Sequence, residues 1–187
     1  MDWNNVAEWT AVCCGLLFLA FTIRENRIGW LFGGISTAIF AFILFQAKLF
    51  ADSGLNIFYT LMAVKGWYDW GKTEKATSVS RISSKEGLWL IFLIPFFSLM
   101  LGALLSRFTE ADFPFADSFI AATAIAATRL SIRKKLENWP IWIISNGVAI
   151  FVFIHKNLLL TAILTSVYFI LAVVGWRTWY IKWKKDA

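Results

Sequence analysis

Apolar residues run along this chain in seven blocks, residues 7–23, 28–46, 55–70, 87–105, 115–130, 139–155 and 158–177, separated by short polar or charged connections. Each block approaches the ~20 residues that cross ~30 Å of hydrocarbon. In lipid every backbone donor and acceptor needs an internal partner, which leaves helices or closed barrels. The blocks lack the alternation of a barrel strand, so the pattern predicts seven transmembrane helices, an all-α integral membrane protein. The third and fifth blocks are the weakest because they carry polar or small residues. Composition agrees: 59% of residues are apolar and 16% charged, against about 45–50% and about 25% in soluble domains. The first block follows Asp2 and Glu8 rather than a basic region, so it is expected to stay as a helix and not to be removed as a signal.

Charge then sets direction. With seven crossings the termini lie on opposite sides. The side of the N-terminus carries Lys48, Arg107 and Lys156. The other carries Arg24, Arg27, Lys72, Lys75, Arg81, Lys85, Arg129, Arg133, Lys134, Lys135, Arg177, Lys182, Lys184 and Lys185, with Lys65 uncounted inside the third block. Short loops rich in Lys and Arg stay cytoplasmic, so the N-terminus is expected outside and the C-terminus inside a cell membrane. This asymmetry accounts for the formal charge of +6 without a nucleic-acid partner, and basic loops also suit anionic headgroups. The adjacent Cys13 and Cys14 cannot sensibly bridge each other. Two Cys and one His make no metal set, and no cofactor is expected.

The chain also resembles itself. Glu25-Asn26 and Trp30 match Glu137-Asn138 and Trp142 at an offset of 112, while Tyr59, Gly66, Trp67 and Trp70 match Tyr168, Gly175, Trp176 and Trp179 at an offset of 109. A three-residue deletion would reconcile the two. The chain is thus expected to form a single transmembrane domain over residues 1–187, with repeat one at 7–70, a linker helix at 87–105 and repeat two at 115–179. One crossing by the linker gives both repeats the same orientation. Parallel repeats of this 3+1+3 kind occur in transporters, with substrate near the midplane between the halves; a channel, or duplication for packing alone, fits the repeat too.

The stretch Leu136-Glu137-Asn138-Trp139-Pro140-Ile141-Trp142, with Asn146 four residues on, resembles the E-N-W-x-x-W-x-x-x-N/D signature of the PnuC family of bacterial vitamin transporters. Phe113-Pro114-Phe115-Ala116-Asp117-Ser118 resembles that family's F-P-x-x-D-S entry to a core helix, and Gly66-Trp67-Tyr68-Asp69-Trp70 its G-W-Y-x-W ending. The resemblance spans nearly the whole chain. It implies a seven-helix core with SWEET-like architecture and location in the bacterial inner membrane. It also implies facilitated diffusion of a small aromatic vitamin, nicotinamide riboside first, with thiamine or riboflavin carried by related members. Some members assemble as trimers, which makes a homotrimer the assembly to expect.

Residue chemistry bears on the same question. All twelve acidic residues fall at or near block ends. Coupled carriers usually bury acidic or His relays mid-membrane, so an uncoupled uniporter is expected. A cationic aromatic vitamin would then be gripped by stacking, cation–π contact and amide oxygens, cation–π being worth about 2 kcal/mol or more when desolvated. Asn138, Trp142 and Asn146 recur every four residues on one helix face, Ser145 lying near it. Asn146 lies roughly 12 Å deep at 1.5 Å per residue, where an amide must face the protein or a cavity, either for interhelical bonding or for cargo. Asn56, Tyr59 and Ala63 share a face of the third helix. The candidate contacts are therefore Asn138, Trp139, Trp142, Asn146, Asn56, Tyr59 and Tyr168. Most tryptophans, including Trp30, Trp70 and Trp179, sit where an interfacial belt is expected. Glu25 and Glu137 are read as favourable charges at helix starts, paired with neighbours such as Arg24, Arg27 and Lys135, and Asp117 as a cap or an outer-gate residue. Gly33-Gly34 and the Ala-rich fifth block permit close packing. A membrane enzyme is disfavoured: His155 lies at a block end, and no nucleophile motif or membrane-centre aspartate pair is present.

Overall fold

The computed structural model describes residues 3–48, 50–72 and 78–186. Seven helices make up the described residues: α1 Trp3–Ile23, α2 Ile28–Gln46, α3 Phe50–Trp70, α4 Ser84–Phe108, α5 Pro114–Ile132, α6 Asn138–His155 and α7 Leu159–Asp186. All but α3 contain an apolar window long enough to cross a membrane. In α3 the polar residues Asp52, Asn56, Lys65 and Asp69 interrupt it, and Lys65 and Lys72 both reach the Asp69 carboxylate at 2.7 Å. Asp2, Glu74 and Lys75, used above in reading charge, lie outside the described residues.

The helices start and stop for local reasons. Ser83 has an extended backbone and accepts a hydrogen bond from the Glu86 N–H at 3.2 Å, an N-cap, so α4 begins three residues before its apolar run. Pro114 opens α5 where its missing N–H costs nothing. Past the apolar part of α7 the helix continues to Asp186, and Lys184 and Lys185 in the last turn suit the negative end of its dipole.

The chain divides into two compact units, Met1–Ser78 and Val79–Ala187. In the first, α2 packs against both α1 and α3. Ser36 Oγ donates to the Ala11 carbonyl at 2.8 Å, and Ser53 Oγ to the Ala41 carbonyl at 2.8 Å. Thr37 and Thr60 hydroxyls meet at 2.8 Å. In the second unit α6 packs against α5 and α7, and α4 lies on α5. Thr123 donates to Ser145 at 2.9 Å across the α5–α6 seam. Buried hydroxyls bonded to carbonyls or to each other are how polar side chains enter a helix bundle in lipid without stranded donors.

Both units turn corners with the same backbone device. Helices α1, α2, α5 and α6 end on non-glycine residues in the left-handed region: Glu25 (φ 54), Lys48 (φ 60), Lys134 (φ 48) and Asn157 (φ 56). At Glu25 its own N–H bonds to the Thr22 carbonyl, and the Asn26 N–H to the Phe21 carbonyl, both at 2.9 Å. Lys134 and Lys135 bond identically to Ser131 and Leu130 at 3.0 and 2.9 Å. These are Schellman closures. Glu25 and Lys134 are 109 residues apart, as are Lys48 and Asn157.

Packing follows the same spacing. Trp30, 3% exposed, lies on Gly66 and meets the Trp70 ring edge-on at 5.5 Å between centroids. Trp139, 1% exposed, lies on Gly175 and meets Trp179 edge-on at 5.3 Å. The packing counterpart of Trp30 is therefore Trp139 and not Trp142. The offset of 112 drawn from Glu25-Asn26 and Glu137-Asn138 is corrected to 109 throughout, and no deletion is needed. The belt reading is corrected for Trp30, Trp70, Trp139 and Trp179 as well: Trp30 and Trp139 are buried on glycines that leave room for their rings, and Trp70 and Trp179 are buried edge-on against them.

Candidate functional site

Each candidate residue is placed by the helix that carries it. Asn138, the first residue of α6, is 0% exposed. Its Oδ1 accepts from Ser131 Oγ at 3.0 Å, and its Nδ2 donates to the Lys135 carbonyl at 2.6 Å. Trp139 is spent in the same way, its ring enclosed by Gly175 and Trp179. Through these contacts the two residues lock the start of α6 to α5 and α7.

One and two turns deeper the situation changes. Trp142 and Asn146, four residues apart and on one face of α6, are half-buried. The Asn146 amide makes no hydrogen bond to any described residue, although its neighbour Ser145 is buried and bonded to Thr123. An amide has two donors and an acceptor to satisfy. On α7, Tyr168 is half-buried at mid-helix. On α3, Tyr59 is half-buried with its ring 5.8 Å from that of Phe58. Asn56, three residues earlier, donates from Nδ2 to the Asp52 carbonyl of its own helix at 3.0 Å, leaving Oδ1 available. The second unit thus offers Trp142, Asn146 and Tyr168, aromatic faces with an amide and a phenol and no carboxylate among them; the first, taken by itself, offers Asn56 and Tyr59. Such a set can stack a ring and hydrogen-bond hydroxyls.

The role of Glu137 was missed from sequence. Its carboxylate does not cap α6. Oε1 accepts from Arg81 Nε at 2.9 Å, and Oε2 from the Ile82 N–H at 3.0 Å. Around it, residues 80–82 lie along the α5–α6 turn: the Ser80 N–H bonds to the Lys134 carbonyl at 3.1 Å, and the Leu136 N–H to the Ser80 carbonyl at 2.9 Å. Lys135 Nζ donates to Ser80 Oγ at 3.0 Å and the Arg81 carbonyl at 3.1 Å. Nothing in the sequence links positions more than fifty residues apart, so this strap had no signal. At the far end of α5, Lys156 Nζ donates to Asp117 Oδ2 at 3.2 Å, so Asp117 ties the start of α5 to the α6–α7 turn.

A family model described as nicotinamide mononucleotide transporter matches residues 5–181. The nicotinamide riboside transporter PnuC of Escherichia coli (strain K12) is 25% identical over 200 residues, which cover 92% of this chain and 84% of that protein. The riboflavin/roseoflavin transporter RibM of Streptomyces davaonensis is 20% identical over 179 residues, again 92% and 84%. The crystal structure of the vitamin B3 transporter PnuC superposes with a TM-score of 0.77 at 19% identity, covering 97% of this chain and 83% of that one. At that identity the likeness speaks for the fold.

Proposed function

The chain belongs to the nicotinamide mononucleotide transporter family, the PnuC family, and on that premise we propose that it takes up nicotinamide riboside by facilitated diffusion across a bacterial inner membrane. Members of the family are transporters and not enzymes. The observation that carries the reading is Asn146: a half-buried amide, hydrogen-bonded to no described residue, one turn from Trp142 in α6. Leaving such a group idle in lipid is costly, and a ribosyl hydroxyl would satisfy it. In the same unit Trp142 and Tyr168 supply aromatic faces for a cationic ring; in the other unit, taken by itself, Tyr59 and Asn56 are the candidate contacts. Asn138 and Trp139 act indirectly by fixing α6.

Uncoupled transport is supported by the acidic residues of the described helices, which sit toward helix ends, leaving no buried carboxylate relay of the kind coupled carriers use. The two units form a 3+1+3 arrangement of repeats, SWEET-like in architecture, a reading supported by the common spacing of 109 in turns and tryptophan packing. The Lys and Arg asymmetry supports an external N-terminus and a cytoplasmic C-terminus. A homotrimer, the assembly this reading carries, is checked by the mass of the solubilised particle.

Binding to detergent-purified protein tests the cargo. Nicotinamide riboside is expected to bind more tightly than riboflavin or thiamine, with Asn146→Ala weakening it about tenfold, the loss of one to two buried hydrogen bonds. Tighter binding of riboflavin would move the assignment toward the activity that names RibM. Tighter binding of thiamine would replace the cargo outright.

A further inference from the structure

Between α4 and α5 of the second unit lies a cleft of about 340 Å³ that the transport reading does not use. Its position follows from helix periodicity. Glu86, Leu90 and Leu93 fall on one face of α4, and Ala126 and Arg129 on the facing side of α5, at the spacings that bring side chains to one stripe. The start of α4 lies beside the end of α5, so charge collects at one end of the cleft while Leu90, Leu93 and Ala126 line it further in. Polarity therefore falls along its length.

The charges at the mouth are unequal. Glu86 is paired with Arg133, which neutralises it. Arg129 is exposed, and its guanidinium makes no ion pair or hydrogen bond with a described residue. Beside it Trp89 is 62% exposed, an indole at the depth where tryptophan meets headgroups. An uncompensated guanidinium presents a planar fork matched to phosphate oxygens. Behind it, the apolar groove has a volume at the small end of ligand pockets, about 300–1,000 Å³, suited to one chain and not to a whole lipid.

We propose that this cleft is a binding site for an anionic phospholipid, whose phosphodiester sits on Arg129 and one acyl chain along Leu90, Leu93 and Ala126. Zwitterionic lipid, with its own ammonium beside the phosphate, gains less from Arg129. A free phosphate ester could meet the guanidinium but would leave the groove empty.

Native mass spectrometry of the full chain in detergent, supplemented with dioleoyl-phosphatidylglycerol or dioleoyl-phosphatidylcholine, tests this. The unmodified protein should retain phosphatidylglycerol about fivefold better than phosphatidylcholine, the effect of one basic residue at the surface of the bilayer. Arg129→Gln, at an exposed position, should abolish that preference and Arg129→Lys should keep part of it. Ala126→Phe, which obstructs the groove, should lower retention of both lipids. Excess glycerol 3-phosphate should leave bound lipid in place. An undiminished preference for phosphatidylglycerol in Arg129→Gln, or displacement of lipid by glycerol 3-phosphate, would overturn the proposal.

Discussion

The turn from α1 to α2 and the turn from α5 to α6 share one backbone and are closed by different chemistry. In the first, Gly29 lets α2 press on α1: a Cβ there would lie 2.9 Å from the Phe18 carbonyl oxygen and 3.2 Å from the Thr22 nitrogen. The Thr22 hydroxyl is buried without a hydrogen-bond partner among the described residues. In the second, Asn138 stands where Gly29 stands, and its amide bridges Ser131 and the Lys135 carbonyl. The strap at residues 80–82 then lies over that turn. A close-packed glycine and a buried amide are thus alternative ways to fix the same corner. The signature residues Glu137 and Asn138 are committed to architecture, and the free polar groups lie deeper in α6.

The comparison breaks most severely where both units depend on the same contact. Gly66→Leu and Gly175→Leu each drive a side chain into a tryptophan ring, and overpacking of this kind costs about 1–3 kcal/mol or more. Each is expected to lower the unfolding temperature in detergent by several degrees and to deplete the monodisperse fraction. Gly34→Ala, whose new methyl meets Ala63 Cβ at an ordinary 3.5 Å, should be tolerated. If it proved as damaging as the leucines, close packing at the tryptophans would not be the cause.

The next effect sharpens the difference between the corners. Asn138→Ala removes two hydrogen bonds of a buried amide, from Ser131 Oγ and to the Lys135 carbonyl, while the Ser131 hydroxyl keeps the Ala127 carbonyl, a loss of about 1–3 kcal/mol. Asn26→Ala, in the first turn, removes only an exposed bond to the Ile28 N–H and should cost less. Equal losses in thermal unfolding would deny that the two corners are closed differently.

The smallest change concerns the strap. Arg81 is largely exposed, so its pair with Glu137 is screened and worth about 0–1 kcal/mol. The Ile82 N–H loses a charged acceptor as well in Glu137→Gln. Faster hydrogen exchange at Ile82, with little change in global stability, is the expected outcome. Unchanged exchange would mean that the backbone bridge at Ser80 holds the strap alone.

How much of this was legible varies with the kind of interaction. Apolar blocks located every helix because length and hydropathy are local properties. The early start of α4 was readable in Ser83 and Glu86, while α7 beyond residue 177 was not, since a cationic helix in water has no apolar signal. The repeat register went astray because a shared Glu-Asn dipeptide is conspicuous, whereas the left-handed closures at Glu25 and Lys134 have no common residue type. Trp30 and Trp139 looked like belt residues because position alone does not disclose the glycine beneath each ring. Asn138 and Asn146 were indistinguishable in sequence; only Ser131, across a turn, separates the satisfied amide from the open one.

The central claim is carriage of nicotinamide riboside without an energy source, with Asn146 among the contacts. Uptake of the labelled vitamin into proteoliposomes with no ion gradient tests it most directly. The account predicts saturable entry that stops at equal concentrations, is accelerated by unlabelled vitamin inside, and falls about tenfold in initial rate at low substrate in Asn146→Ala. A requirement for a proton or sodium gradient, or unchanged uptake by that variant, would contradict it.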